Sequence, residues 1–151
     1  MTVTDESILI PVPPEVVFDY LDNPANFPAF DPTILSAELD GDGPVHVGSR
    51  IKGVNKILGQ TFGWTVEVTD HDRPTRLAVK TVEGKIAFTT TYALTPEAGG
   101  TRLHYRNESP DGLGDVFGDT PEADLADVGS RQMRANLAAL SEILTDHRQG
   151  G

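Results

Sequence analysis

The chain has 151 residues, 38% hydrophobic and 23% charged, with 23 acidic against 12 basic side chains and a net charge of −11. That length buries well over half of the surface an unfolded chain exposes, so one core suffices, and the composition is globular rather than disordered. The acidic excess repels phosphate backbones and anionic headgroups, which argues against nucleic acid and bare membrane as partners, and no run approaches the ~20 apolar residues of a spanning helix.

Met1 to Glu6 is acidic and polar, with no basic region and no apolar run of a targeting signal, so a cytoplasmic location and a flexible end over residues 1–6 are expected. Ile8 to Val12 is a short apolar run reaching Pro11, Pro13 and Pro14, the way a strand ends and a helix begins with proline in its first turn. Pro14, Val17, Phe18 and Leu21 then recur at helical spacing. Asn23-Pro24 repeats the start signal, and a second short helix carries Phe27 and Phe30 before Asp31-Pro32 stops it.

From Thr33 the period changes to two, and strands are predicted at Ile34–Leu39, Ser49–Asn55, Thr61–Thr69, Arg76–Val82, Lys85–Leu94 and Arg102–Asn107. Turn residues separate them: Gly41-Asp42-Gly43-Pro44, Leu58-Gly59, Asp72-Arg73-Pro74, Glu83-Gly84 and Pro96 to Gly100. Alternation puts Phe62, Trp64, Val66 and Val68 on one face, with Ile86, Phe88, Thr90, Tyr92 and Leu94, and with Leu103, Tyr105 and Asn107. Thr65, Glu67, Arg102, His104 and Arg106 fall on the solvated face.

A Gly/Asp-rich loop from Ser109 to Gly118 precedes Thr120-Pro121-Glu122, which starts a long helix to about His147. Its apolar stripe contains Leu125, Val128, Met133, Leu137, Leu140, Ile143 and Leu144. Gln132 and Asn136 fall in the middle of that stripe, where a buried amide without partners costs about 1–3 kcal/mol. They therefore meet water, a ligand or polar groups on the sheet. Gly129 shares the stripe at a cost of roughly 1 kcal/mol relative to alanine, which close packing on the sheet or room for a ligand would each explain. No repeat or long linker divides residues 1–151, so a single domain is expected, with residues 148–151 a flexible end.

The order of strand, two short helices, six strands and long helix resembles the START-like or SRPBCC superfamily, the helix-grip fold, in its polyketide cyclase/dehydrase-like branch. The resemblance rests on Ile10-Pro11-Val12-Pro13-Pro14-Glu15-Val16-Val17-Phe18-Asp19-Tyr20-Leu21, Asn23-Pro24, Gly48 and Trp64-Thr65-Val66-Glu67-Val68. It continues through Arg73-Pro74-Thr75-Arg76-Leu77, Tyr92-Ala93-Leu94-Thr95-Pro96 and Gly99-Gly100-Thr101-Arg102-Leu103. It implies an α+β fold in which a curved antiparallel sheet of about seven strands wraps around the C-terminal helix and leaves a ligand-sized cavity. The same scaffold hosts aromatase/cyclases, lipid and hormone binders, oxygenase domains and co-chaperone domains, so activity does not follow from it.

Chemistry-bearing motifs are sparse. The chain has no cysteine, hence no disulfide framework, thiolate nucleophile or cysteine metal site. Gly41-Asp42-Gly43 and Gly112-Leu113-Gly114 lack the third glycine and preceding strand of a nucleotide loop, and neither a phosphate loop nor a serine elbow occurs. His46, His71, His104 and His147 lie in turns, on the outer sheet face and at a helix end, without metal-ligand spacing. Asp70 and Asp72 read as turn residues, Asp19 and Asp22 as a solvated helix face.

The expected cavity lining is Phe62, Trp64, Phe88, Thr90, Tyr92, Tyr105, Asn107, Val128, Gln132, Met133 and Asn136, a mixture suited to an apolar molecule with a few oxygens. Leu113, Val116 and Phe117 in the glycine-rich loop would act as a lid or as a plug on the core. The sequence thus points to a binder of a small hydrophobic molecule, monomeric or homodimeric, without cofactor or metal. The alternatives are a polyketide cyclase/dehydratase-type enzyme, for which Tyr92, Tyr105 and the outward Arg106 are the nameable groups, and a protein-interaction module. On this reading no Asp, Glu, His or Lys points inward.

Overall fold

The computed structural model describes residues 2–110 and 120–150, apart from the side chains of residues 122 and 147–150. Strand β1 (Thr2–Ile10) turns through its prolines into helix α1 (Pro14–Leu21), where Pro14 sits in the first turn and its missing N–H costs nothing. Val17, Phe18 and Leu21 form the buried side of α1. Asn23 caps a 3-10 turn (Pro24–Asn26) by accepting from the Ala25 amide at 3.2 Å, and α2 (Phe27–Phe30) follows.

The chain then forms β2 (Ile34–Asp40), β3 (Arg50–Ile57), β4 (Gln60–Asp72), β5 (Arg76–Gly84), β6 (Thr89–Glu97) and β7 (Gly100–Ser109), followed by helix α3 (Glu122–Gly150). The seven strands make one sheet in the order β1-β7-β6-β5-β4-β3-β2, with every neighbouring pair antiparallel. β1 lies beside β7, from Thr2 opposite Ser109 to Ile10 opposite Thr101. At that corner the buried Thr101 hydroxyl donates to the Val12 carbonyl at 2.7 Å. Gly100, at φ 154°, allows the approach, because a Cβ there would overlap the Ile10 carbonyl.

Leu125, Met133, Leu137, Leu140 and Leu144 bury the apolar side of α3, which packs along β1 and against α2. Ile10, Val68, Leu77, Leu94 and Leu103 from the sheet, with Phe18 and Leu21 from α1, complete the core. This is the α+β helix-grip architecture that the order of elements implies. No helix among the described residues is long and apolar enough to cross a membrane.

Several boundaries differ from the sequence-based expectation. Residues 2–6, expected to be a flexible end, are paired in β1; Thr2 and Thr4 are buried, and Glu6 accepts from Arg134 of α3 at 2.9 Å. β4 runs on to Asp72, so His71 and both Asp70 and Asp72 belong to a strand end rather than a turn. β6 begins at Thr89 instead of Lys85: the Thr81 hydroxyl donates to the Phe88 carbonyl and accepts from its amide, each at 3.1 Å, which pins residues 85–88 as a loop. Thr65, assigned to the solvated face, is buried; its cross-strand neighbours are Lys52 and Glu83, long side chains that shelter a short one. α3 extends to Gly150 rather than stopping near His147.

Candidate functional site

A cavity of about 380 Å³ lies between the inner face of the sheet and α3. It falls in the size range of small-molecule sites, roughly 300–1,000 Å³. Ile51, Phe62, Val66, Leu77 and Val79 supply apolar wall from β3, β4 and β5, while Leu21, Phe27 and Ile34 supply it from α1, α2 and β2. Leu58 and Val128 also line the cavity yet are 55% and 42% exposed, which places its mouth at the β3–β4 turn and the first turns of α3. Leu58 adopts φ 49°, an unusual conformation for leucine, and presents its side chain at that rim.

Trp64 spans the wall on β4. Its indole N–H donates to Asn55 Oδ1 at 2.6 Å, and its ring meets Phe88 edge-on with centroids 6.3 Å apart. The ring lies over Gly53, where any Cβ would overlap it. A glycine opposite the tryptophan is therefore a packing requirement of the wall.

The closed end of the cavity is polar. Asp31, at the end of α2, is only 7% exposed and lines the cavity. Its Oδ1 accepts from the Thr33 amide at 3.0 Å and from the Thr33 hydroxyl at 2.6 Å. Asn136 of α3 donates to the same carboxylate, and Gln132 donates to Asn136 Oδ1 at 2.9 Å. Burial pushes the Asp31 carboxyl above its ordinary value, although the Thr33 and Asn136 bonds pull the other way.

Across from it, Tyr92 and Tyr105 pack with ring centroids 4.7 Å apart, and their hydroxyls share a hydrogen bond. Tyr105 keeps part of its surface open to the cavity but is enclosed by protein. Burial raises both phenols well above their usual range, and the Asp31 charge adds to the rise. Both are therefore neutral hydrogen-bonding groups at physiological pH. On the same wall the Thr90 hydroxyl donates to Asn107 Oδ1 at 3.1 Å.

Phe62, Trp64, Phe88, Thr90, Tyr92, Tyr105, Asn107, Val128, Gln132, Met133 and Asn136 all lie on the wall of this cavity. Leu113, Val116 and Phe117 lie outside the described residues. The expectation that no Asp, Glu, His or Lys points inward is corrected by Asp31, and Lys56 and Lys85 also reach the cavity wall. The Asp-Pro context of Asp31 reads as a helix stop, and that local role conceals a carboxylate folded under α3. The signal that could have found it is the pair Gln132 and Asn136, which in an apolar stripe demand a polar partner. Asp22 also reaches the cavity wall, half-buried and held by His71 Nε2 at 2.8 Å, so it is not on a solvated face.

Arg106 points outward, paired with Asp5 at 3.3 Å and Glu108 at 3.7 Å, and takes no part in the cavity. His104 pairs with Asp5 on the same outer face, and His46 sits in a turn with Pro44 and Ser49. Asp19 is held below the usual carboxylate range by the bidentate Arg73 beside it, at 2.7 and 2.9 Å. Among the described residues, no group of three or more His, Asp or Glu side chains is placed to hold a metal ion.

Comparison with known structures finds this architecture repeatedly. A Thermus thermophilus protein, TTHA0849, aligns with a TM-score of 0.78 at 19% identity, covering 96% of this chain and 98% of that one. A START superfamily protein from Mycobacterium smegmatis aligns with a TM-score of 0.75 at 11% identity, over 97% and 99% of the two chains. The di-domain ARO/CYC StfQ of the steffimycin biosynthetic pathway aligns with a TM-score of 0.74 at 16% identity, covering 99% of this chain and 53% of that one. No curated protein matches the sequence. The model of the family described as polyketide cyclase / dehydrase and lipid transport matches residues 1–145, and the chain belongs to that family.

Proposed function

We propose that the protein binds one small, largely apolar molecule, lipid-like or polyketide-like, in the cavity between the sheet and α3. The observation that carries this reading is the cavity itself: about 380 Å³ with a mostly apolar wall, a partly exposed mouth and a few convergent polar groups at its closed end. The family description and the START-like and ARO/CYC neighbours are consistent with such a use of the fold. An interaction module with a filled interior fits this open volume less well. The acidic surface favours an uncharged partner over nucleic acid or an anionic membrane.

Titrating the full chain with uncharged fluorescent hydrophobes tests the reading. Trp64 is the only tryptophan and lines the cavity, so its emission should change and saturate at about one ligand per chain. A panel of such probes giving no saturable signal would reject the binding site.

One observation favours a second reading, an enzyme of the cyclase/dehydratase type. Asp31 is a buried carboxylate with a raised pKa, on the same cavity as two neutral phenols. In that arrangement the carboxylate would take a proton from carbon beside a ketone while a phenol hydrogen-bonds the oxygen that becomes an enol, a contribution of typically ~10²–10⁴ in rate. Under this reading Asp31→Asn abolishes turnover of a poly-β-ketone while cavity binding persists; if the protein converts no such substrate, binding alone stands.

A further inference from the structure

The polar groups at the closed end of the cavity have a definite hydrogen-bonding pattern. An ionised carboxylate offers about four acceptor positions. Thr33 occupies two on Asp31 through its amide and hydroxyl, and Asn136 occupies a third. Among the described residues, one acceptor position remains for whatever fills the cavity. Tyr92 and Tyr105, packed ring to ring, bond to each other through one O–H, so that among the described residues the second O–H is left to donate to a ligand.

We infer that Asp31 and the Tyr92–Tyr105 pair form a seat for a hydroxyl group, so that the ligand is an apolar alcohol or phenol that enters polar end first. This rests on the cavity being a binding site and names the class of molecule that site takes. A hydroxyl is the small uncharged group that donates once and accepts at the same oxygen, which matches one open acceptor beside one open donor. A ketone or ether would accept from the tyrosine but leave Asp31 facing a lone pair. A carboxylate would meet Asp31 charge to charge in a site shielded from water.

The direction follows from the positions of the two ends. Asp31, Tyr92 and Asn136 are 7%, 7% and 4% exposed, whereas Leu58 and Val128 at the mouth are 55% and 42% exposed. The hydroxyl thus lies deep, and the apolar body extends toward the opening.

Displacement of a bound fluorescent hydrophobe from the full chain at pH 8, by 1-octanol, octanoate and 1-methoxyoctane, separates these classes. Octanol should displace the probe at about tenfold lower concentration than either competitor, the expected worth of a hydrogen bond to a buried charge. In Asp31→Asn, octanoate should come within about threefold of octanol, because the repelling charge is gone. The wild-type comparison stands even where that variant fails to fold. Octanoate or the ether matching octanol on the wild-type protein overturns the hydroxyl seat and leaves the cavity reading intact. A probe that never binds removes the cavity reading and the seat with it.

Discussion

Asn136 stands in the apolar stripe of α3, yet it is 4% exposed and bonded at both ends, to the Asp31 carboxylate and to Gln132. Asn136→Leu would add apolar surface at an apolar cavity, and on area alone it should be tolerated. It would also strip a donor from a buried carboxylate and an acceptor from a partly buried amide, and each unmet buried group costs about 1–3 kcal/mol. The loss outweighs the gain, so urea unfolding should show Asn136→Leu less stable by about 2 kcal/mol; equal or greater stability would mean that cavity water satisfies Asp31. Asp31 itself carries a pH signature. Folding raises its carboxyl above the ordinary 3.8, so the native state binds the proton more tightly than the unfolded chain does. Stability from this group is fully present at low pH and is lost as pH rises from about 3.8 through the folded value. Asn cannot ionise, so Asp31→Asn should gain on the wild type in thermal stability between pH 4 and pH 8. A difference that does not change with pH would show that Asp31 is not the titrating group. The two residues also show how far sequence reads a site: Asn136 is visible because it breaks a helical period, while Asp31 is invisible because its Asp-x-Thr turn is complete within three residues.

At the scale of elements, alternation and turn chemistry locate β2 to β7, and the start of β1 is missed because polar residues face inward. β1 begins at Thr2 although its inward positions Thr2, Thr4 and Glu6 look like a solvated tail. Thr4 meets α3 through its methyl and Glu6 through Arg134, while Thr2 is buried, so the period is polar and the strand is hidden. The same contact explains Gly129, which lies on the helix side nearest β1: a Cβ there would come within 3.0 Å of Thr4 Cγ2. Packing and cavity are both served, since Gly129 also lines the cavity wall. Gly129→Ala gains about 1 kcal/mol of helix propensity and loses a comparable amount to that contact, so alone it should be close to neutral. Thr4→Ser removes Cγ2, and in that background Gly129→Ala should stabilise by about 1 kcal/mol. A double-mutant cycle by urea unfolding isolates the term; zero coupling would mean that the Thr4 methyl does not limit the approach of α3 to β1.

On the whole molecule, charge sets a balance that local pairs do not decide. Arg50, Arg73, Arg76, Arg102, Arg106, Arg131 and Arg134 each sit within 3.7 Å of a carboxylate. Their side chains are 39% to 69% exposed, however, and exposed pairs contribute roughly 0–1 kcal/mol apiece, part of which salt screens away. Against them stands an excess of 11 acidic charges, from 23 acidic and 12 basic residues, which folding compresses onto one surface. Repulsion acts over the whole excess, and screening shortens its range from ~30 Å at 10 mM salt to ~8 Å near 150 mM. Raising NaCl from about 10 to about 300 mM should increase Tm by a few degrees, and the rise should level off once the Debye length is shorter than the spacing of surface charges. A rise that continues in proportion to salt up to ~2 M would instead reflect stronger burial of apolar surface. A fall in Tm over the first 300 mM would show that the arginine pairs outweigh the acidic excess.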